Sequence, residues 1–209
     1  KTIAFLGRVN YNFDNTYYIT ASLRYEGNTK FGANNKWGMF PAVSAAWRLN
    51  KLASLTNSKT INDLKLRASY GETGRSGFPR YTSLSRYTGY GRYLNDAGQW
   101  IQVYGPANNY NANLQWEKAI AYNVGVDFAL FNNRLSGSID WFTRKSTDLL
   151  SNYDVPVGSY VQEQIFVNVG NTISRGFELT VNWDAVKGKD FRYTASFIGS
   201  YAKSKLGSW

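Results

Sequence analysis

The chain has 209 residues, with 24 Lys and Arg against 14 Asp and Glu, no histidine and no cysteine. Without histidine or cysteine, a Ser-His-Asp triad, an imidazole base, the usual zinc ligand sets, disulfides and thiolate nucleophiles are all excluded. Mean hydropathy is −0.42, and no run approaches the roughly twenty apolar residues of a membrane helix, so a helical membrane protein is excluded as well.

Lys1 to Leu6 lead straight into an alternating strand rather than into the apolar core of a signal peptide, so a mature or internal start is expected. The clearest strand follows, from Tyr17 to Gly27. Tyr17, Ile19, Ala21, Leu23 and Tyr25 fall on one side, and Tyr18, Thr20, Ser22, Arg24 and Glu26 on the other. A strand of period two has two chemically different faces, and this one reaches the roughly nine to eleven residues that a tilted strand needs to cross a bilayer. Alternation predicts about eight strands, beginning near Ile3, Tyr17, Trp37, Asp63, Leu114, Arg134, Ile165 and Phe191. Only 51–62 suggests a short turn of helix. The fold class predicted is all-β: an antiparallel transmembrane β-barrel.

Connections alternate in length. Asp14-Asn15-Thr16, Asn132-Asn133 and Lys187-Gly188-Lys189-Asp190 are tight turns, whereas 28–36, 72–113 and 151–164 are long. Outer-membrane barrels have short periplasmic turns and long extracellular loops, so Asp14 is expected on the periplasmic side and Gly32 outside. The connection 51–62 is longer than this rule expects.

Ile3, Phe5, Val9 and Tyr11, then Leu64, Leu66, Ala68 and Tyr70, then the stripe Ile120, Tyr122, Val124, Val126, Phe128 and Leu130, are expected to face lipid. The opposite set holds Arg8, Arg24, Arg48, Lys65, Arg67, Asp140, Arg144 and Glu178, charges that need a wet lumen. Arg175 breaks the pattern by sharing parity with Phe177 and Leu179. Either a bulge at Gly176 resets the register, or Arg175 lies at headgroup level. A soluble lipid-binding barrel would show the same stripes turned inside out. Strand length and the placing of Tyr11, Phe13, Tyr17, Trp47, Tyr70, Trp141 and Trp183 towards strand ends, as in an aromatic girdle, count against it.

No catalytic site is predicted. Glu117, Asp127, Asp140, Glu178 and Asp184 lie scattered over different strands, without the paired spacing of a glycosidase. No metal and no cofactor is expected. The net charge of +10 does not concentrate on one element, so no nucleic acid is expected as a partner; the cations suit anionic headgroups or a pore lining.

Several segments carry a family resemblance. Trp37-Gly38-Met39-Phe40-Pro41-Ala42-Val43-Ser44-Ala45-Ala46-Trp47-Arg48-Leu49, Leu64-Lys65-Leu66-Arg67-Ala68-Ser69-Tyr70-Gly71-Glu72-Thr73-Gly74, and Asn113-Leu114-Gln115-Trp116-Glu117 with Asn123-Val124-Gly125-Val126-Asp127 are three of them. Thr147-Asp148-Leu149-Leu150 and Asn168-Val169-Gly170-Asn171-Thr172-Ile173-Ser174-Arg175-Gly176-Phe177-Glu178 complete the set. In order and spacing the chain resembles the barrel of SusC/RagA-type TonB-dependent transporters of Bacteroidetes. The resemblance implies that residues 1–209 are a middle-to-late portion of a plugged barrel of the 22-stranded kind, with the plug and the TonB-contacting segment outside this chain. It further implies an outer-membrane location and TonB-dependent import of glycans or oligopeptides. A SusD-like surface lipoprotein, the TonB complex, outer-membrane lipid and lipopolysaccharide, and the cargo itself are the implied partners. The alternative is a complete eight-stranded barrel with a structural or adhesive role, for which the aromatic end at Trp209 would speak.

Within the long loop 72–113, Trp100, Tyr104 and Tyr110 are the candidates for cargo contact, because aromatic faces stack on sugar rings and peptide side chains. Packing of the loop against itself or against a lid protein is the other reading of the same residues. Arg24, Arg48, Lys65, Arg67 and Glu178 are the lumen-facing candidates.

Overall fold

The computed structural model describes residues 1–52, 55, 58–156 and 158–207. Trp209, part of the expected helical turn in 51–62, and the end that would test a terminal strand lie outside the described residues.

Eight long strands form one antiparallel sheet in the order β1-β2-β3-β4-β7-β8-β11-β12. They are β1 (Thr2–Phe13), β2 (Tyr17–Asn28), β3 (Trp37–Arg48), β4 (Ile61–Arg75), β7 (Glu117–Leu130), β8 (Leu135–Thr147), β11 (Asn171–Lys187) and β12 (Arg192–Leu206). Each is at least 12 residues long, against about five or six in ordinary globular sheets. Two small hairpins sit in the long connections: β5 (Tyr87–Leu94) with β6 (Trp100–Pro106), and β9 (Leu150–Asp154) with β10 (Gln164–Asn168). Among the described residues β1 and β12 are free edges, so the sheet is open and the eight strands do not close on themselves.

All three expected tight turns form, at one end of the sheet. Asp14 and Asn15 have φ of 52° and 49°, and Phe131, Asn132 and Asn133 have 55°, 53° and 60°. Asx residues tolerate this left-handed region better than other side chains; Phe131 is the exception in a turn otherwise built from asparagine. The longer 3-10-containing connection at the same end begins with Leu49–Lys51. It is braced by Asn50, whose amide donates to the Asn62 carbonyl (2.6 Å) and whose oxygen accepts from the Leu64 N–H (2.9 Å). It also packs on the neighbouring turn, where the Phe131 N–H donates to Thr60 O.

Two strand starts differ from the sequence reading, and β5, β6 and β9 were not expected. β7 starts at Glu117, not Leu114, because Leu114 is fully buried among loop residues. The segment near Ile165 is the short β10, and the long strand begins only at Asn171. The hairpin β5–β6 escaped notice because glycine and tyrosine interrupt its alternation, including a register shift at Gly89/Gly91.

Pairing across the sheet aligns the two faces strand by strand. Phe5, Tyr25 and Met39 fall in register, as do Val43, Tyr70 and Tyr122, then Val124, Trp141, Phe177 and Tyr201. This apolar face carries rings in contact: Tyr17 stacks on Trp47 at 6.1 Å and Tyr25 on Trp37 at 4.7 Å, near opposite ends of the same strands. Trp141, in contrast, sits mid-strand in β8. The pairing of β11 runs unbroken through Arg175 and Gly176 on both sides. There is no bulge at Gly176, and Arg175 belongs to the apolar face.

Candidate cargo-contact site

The opposite face is polar and ion-paired. Arg67 bridges two neighbouring strands, its guanidinium 2.8 Å from Asp127 and 3.0 Å from Asp140; Lys65 joins at 3.9 Å from Asp127. Gly125 makes room for this contact, since a Cβ there would collide with Asp140 and stand 2.9 Å from the Arg67 guanidinium. Arg48 pairs with Asp63 at 3.2 Å and Arg24 with Glu26 at 2.6 Å. Glu178, opposite Asp140 in register, is exposed and has no ion-pair partner among the described residues. Thus Arg24, Arg48, Lys65, Arg67 and Glu178 all lie on the polar face, four of them tied into carboxylates on their own or a neighbouring strand.

At the end away from the tight turns, the long connections interlock over this polar face. Phe40, projecting from the polar side of β3, meets Trp116 edge-on at 5.4 Å; Trp116 contacts Phe31 at 4.5 Å, Phe31 contacts Phe78 at 5.0 Å, and Phe78 contacts Phe166 at 5.9 Å. Leu114 fills the middle of this cluster, the main buried core of the molecule. One loop after another therefore contributes a side chain to a shared apolar plug beneath the exposed surface.

Polar clips fasten the same loops. The Lys30 ammonium donates to the carbonyls of Ser76 (3.2 Å) and Phe78 (2.8 Å), while Ser83 donates to Lys30 O (2.7 Å). Asn109, almost fully buried, donates to the carbonyls of Gln162 and Gln164 and accepts from the N–H groups of Val161 and Gln162. Asn168 exchanges two hydrogen bonds with the Gln115 backbone. Phe31, Phe78 and Asn109 were missed by sequence reasoning, because isolated residues in aperiodic loops carry no period to read; Leu114 and Trp116 stood in a motif of the family resemblance, but nothing in their spacing signalled that they are buried in the loop layer rather than in a strand.

On this platform stands β5–β6. Trp100 and Tyr104 share one face of β6 and are 66% and 68% exposed; Tyr110, on the segment leading back to β7, is 54% exposed. Their rings make no contact with one another or with other rings among the described residues. Among the described residues the hairpin is clipped to the neighbouring loop by the Gln162 side chain, whose amide donates to the Tyr90 hydroxyl (2.6 Å) and, more loosely, to the Pro106 carbonyl (3.5 Å). The structure thus offers exposed aromatic faces above a packed and hydrogen-bonded loop layer, without gathering the three candidates into one pocket.

Comparison with known proteins agrees with this architecture. The family model described as "TonB dependent receptor-like, beta-barrel" matches residues 1–207. The chain is 31% identical over 202 residues to the TonB-dependent receptor SusC of Bacteroides thetaiotaomicron, covering 93% of this chain and 20% of that protein. It is 34% identical over 206 residues to the TonB-dependent receptor P3 of Formosa agariphila, covering 99% and 20%. Among solved structures it superposes on the RagAB peptide importer in its open-open state with a TM-score of 0.90 at 29% identity, covering all of this chain and 22% of that one. The chain spans about a fifth of the length of the curated relatives it matches. With its long two-faced strands, its short turns at one end and its interlocked loops at the other, this chain belongs to the TonB-dependent receptor-like β-barrel family.

Proposed function

We propose that the chain is a wall segment, with its extracellular loops, of a larger SusC-like TonB-dependent transporter that imports glycans or oligopeptides across the outer membrane without altering them chemically. The observation that carries this reading is the layer of loops packed over the ion-paired face. Loops that fold over one side of an open wall mark that side as the interior, so Arg24, Arg48, Lys65, Arg67 and Glu178 line a wet lumen while the apolar face meets lipid. The closed-closed and open-open states of the RagAB importer superpose equally well on this chain, at TM-scores of 0.89 and 0.90, which favours a static wall over a moving part.

In this reading the plug and the TonB-contacting segment lie elsewhere in the full protein. A SusD-like lipoprotein seats on the loop layer, and Trp100, Tyr104 and Tyr110 offer stacking faces to the cargo or to that lid. The test is uptake by cells expressing the full-length protein with defined mixtures of labelled oligosaccharides or oligopeptides, in the presence and absence of TonB. TonB-dependent accumulation of one class, with a surface lipoprotein copurifying, is expected. Accumulation that persists without TonB contradicts the reading.

A further inference from the structure

Register assigns every long-strand residue to a face, and the charges on the apolar face are distributed unevenly. Its cations are Lys118, Lys145, Arg175, Lys203 and Lys205, all on β7, β8, β11 and β12, and all near the long-loop end. The apolar faces of β1, β2 and β3 carry none. Among the described residues the single acid on this face, Glu72, accepts the Tyr70 hydroxyl.

Four of these cations form a compact patch. Arg175 pairs directly with Lys203 across β11–β12, and Lys145 and Lys205 flank Ile173 in the adjoining row. Standard sheet spacings put the patch at roughly 10 by 7 Å. All four are exposed, and among the described residues none makes an ion pair or hydrogen bond. Ile173, Arg175, Lys203 and Lys205 line a shallow groove of about 460 Å³. Like charges placed directly opposite one another on a sheet destabilise it, and on the other face of this same sheet most cations are matched to carboxylates. A patch of unmatched cations above a lipid-facing apolar band calls for an anion supplied from outside the protein.

We propose that Lys145, Arg175, Lys203 and Lys205 bind the phosphates of an outer-leaflet lipopolysaccharide molecule, whose acyl chains lie along Phe177, Phe197 and Tyr201 below. This rests on the reading that the apolar face meets lipid and the long-loop end is extracellular. The long side chains reach the headgroup level from positions within the strands, and the guanidinium offers phosphate two parallel N–H donors. The register conflict at Arg175 is thereby resolved as a binding feature rather than a fault in the strand.

The experiment is native mass spectrometry of the full-length protein purified from outer membranes, titrated with lipopolysaccharide and, separately, with a zwitterionic phospholipid. The wild type should retain lipopolysaccharide and show no preference for the phospholipid. Arg175→Gln/Lys203→Gln/Lys205→Gln should bind it about 100-fold more weakly, whereas Arg175→Lys/Lys203→Arg/Lys205→Arg should retain it. Lys203→Gln alone, at an exposed site, serves if the triple variant does not fold. Wild-type affinity in the glutamine variants, or equal binding of the zwitterionic lipid, would overturn the proposal. Migration with and without boiling separates the two levels: a folded, heat-modifiable barrel that binds no lipopolysaccharide rejects the site alone, while no heat-modifiable species rejects the membrane-barrel reading beneath it.

Discussion

Gly32 lies so close to Ala112 that a Cβ on residue 32 would overlap the Ala112 carbonyl oxygen. Residues far apart in sequence thus meet backbone to backbone, and only glycine permits it. The contact sits beside Phe31 and Leu114, so the first long loop and the return segment before β7 are fixed to each other where the aromatic cluster is densest.

Gly32→Ala should therefore loosen the loop layer without dissolving the sheet. Overpacking of this kind costs about 1–3 kcal/mol, enough to populate open loops. Limited proteolysis of the full-length protein should cut within 76–116 several-fold faster, while heat-modifiable migration stays unchanged. Unaltered cleavage would show that the loops are held independently of this contact.

Asn109→Ala removes four hydrogen bonds that join the return segment to β10 and the residues before it. With part-buried backbone groups left unpaired, the local cost is about 1–3 kcal/mol. Hydrogen exchange should accelerate in peptides covering 158–168 and not in β1 or β2. Asn109→Asp keeps the acceptor oxygen but turns a second oxygen onto the Gln162 and Gln164 carbonyls, so exchange there should be at least as fast as in Asn109→Ala.

Arg67→Met leaves Asp127 and Asp140 facing each other without their shared cation. Because the site is part-exposed, the loss is about 1–3 kcal/mol rather than that of a fully buried pair. The temperature at which the folded band converts on boiling should fall, and Asp140→Asn in the Arg67→Met background should restore part of it.

Trp100→Ala/Tyr104→Ala should lower cargo uptake several-fold at unchanged surface expression, since both rings are largely exposed and touch no other ring among the described residues. Uptake equal to wild type would remove these residues from the contact site and leave the hairpin as packing surface.

Much of the wall was legible in the sequence because a half-buried strand writes its period directly: the Tyr17 to Gly27 alternation and the stripe from Ile120 to Leu130 both sit in register with like neighbours. The tight turns were legible for a similar reason, through residues such as Asp14, Asn15, Asn132 and Asn133 that accept positive φ. The loop layer was not. Phe31, Phe78, Leu114 and Trp116 come together only through tertiary packing, and the clips made by Asn109 and Asn168 are side-chain-to-backbone bonds that leave no spacing signature. Arg175 is intermediate: its parity conflict was visible in the sequence, and the unbroken pairing around it decides between the two explanations.

The central claim is that one face of this sheet meets lipid and the other water. Single cysteines introduced along β7 of the full-length protein and spin-labelled in bilayers test it directly, since this segment contributes no cysteine of its own. Labels at Tyr122, Val124, Val126 and Phe128 should be relaxed by oxygen, which concentrates in the bilayer, and labels at Ala121, Asn123, Asp127 and Ala129 by a water-soluble nickel complex, alternating with period two. The opposite phase, or nickel access at every position, would contradict it.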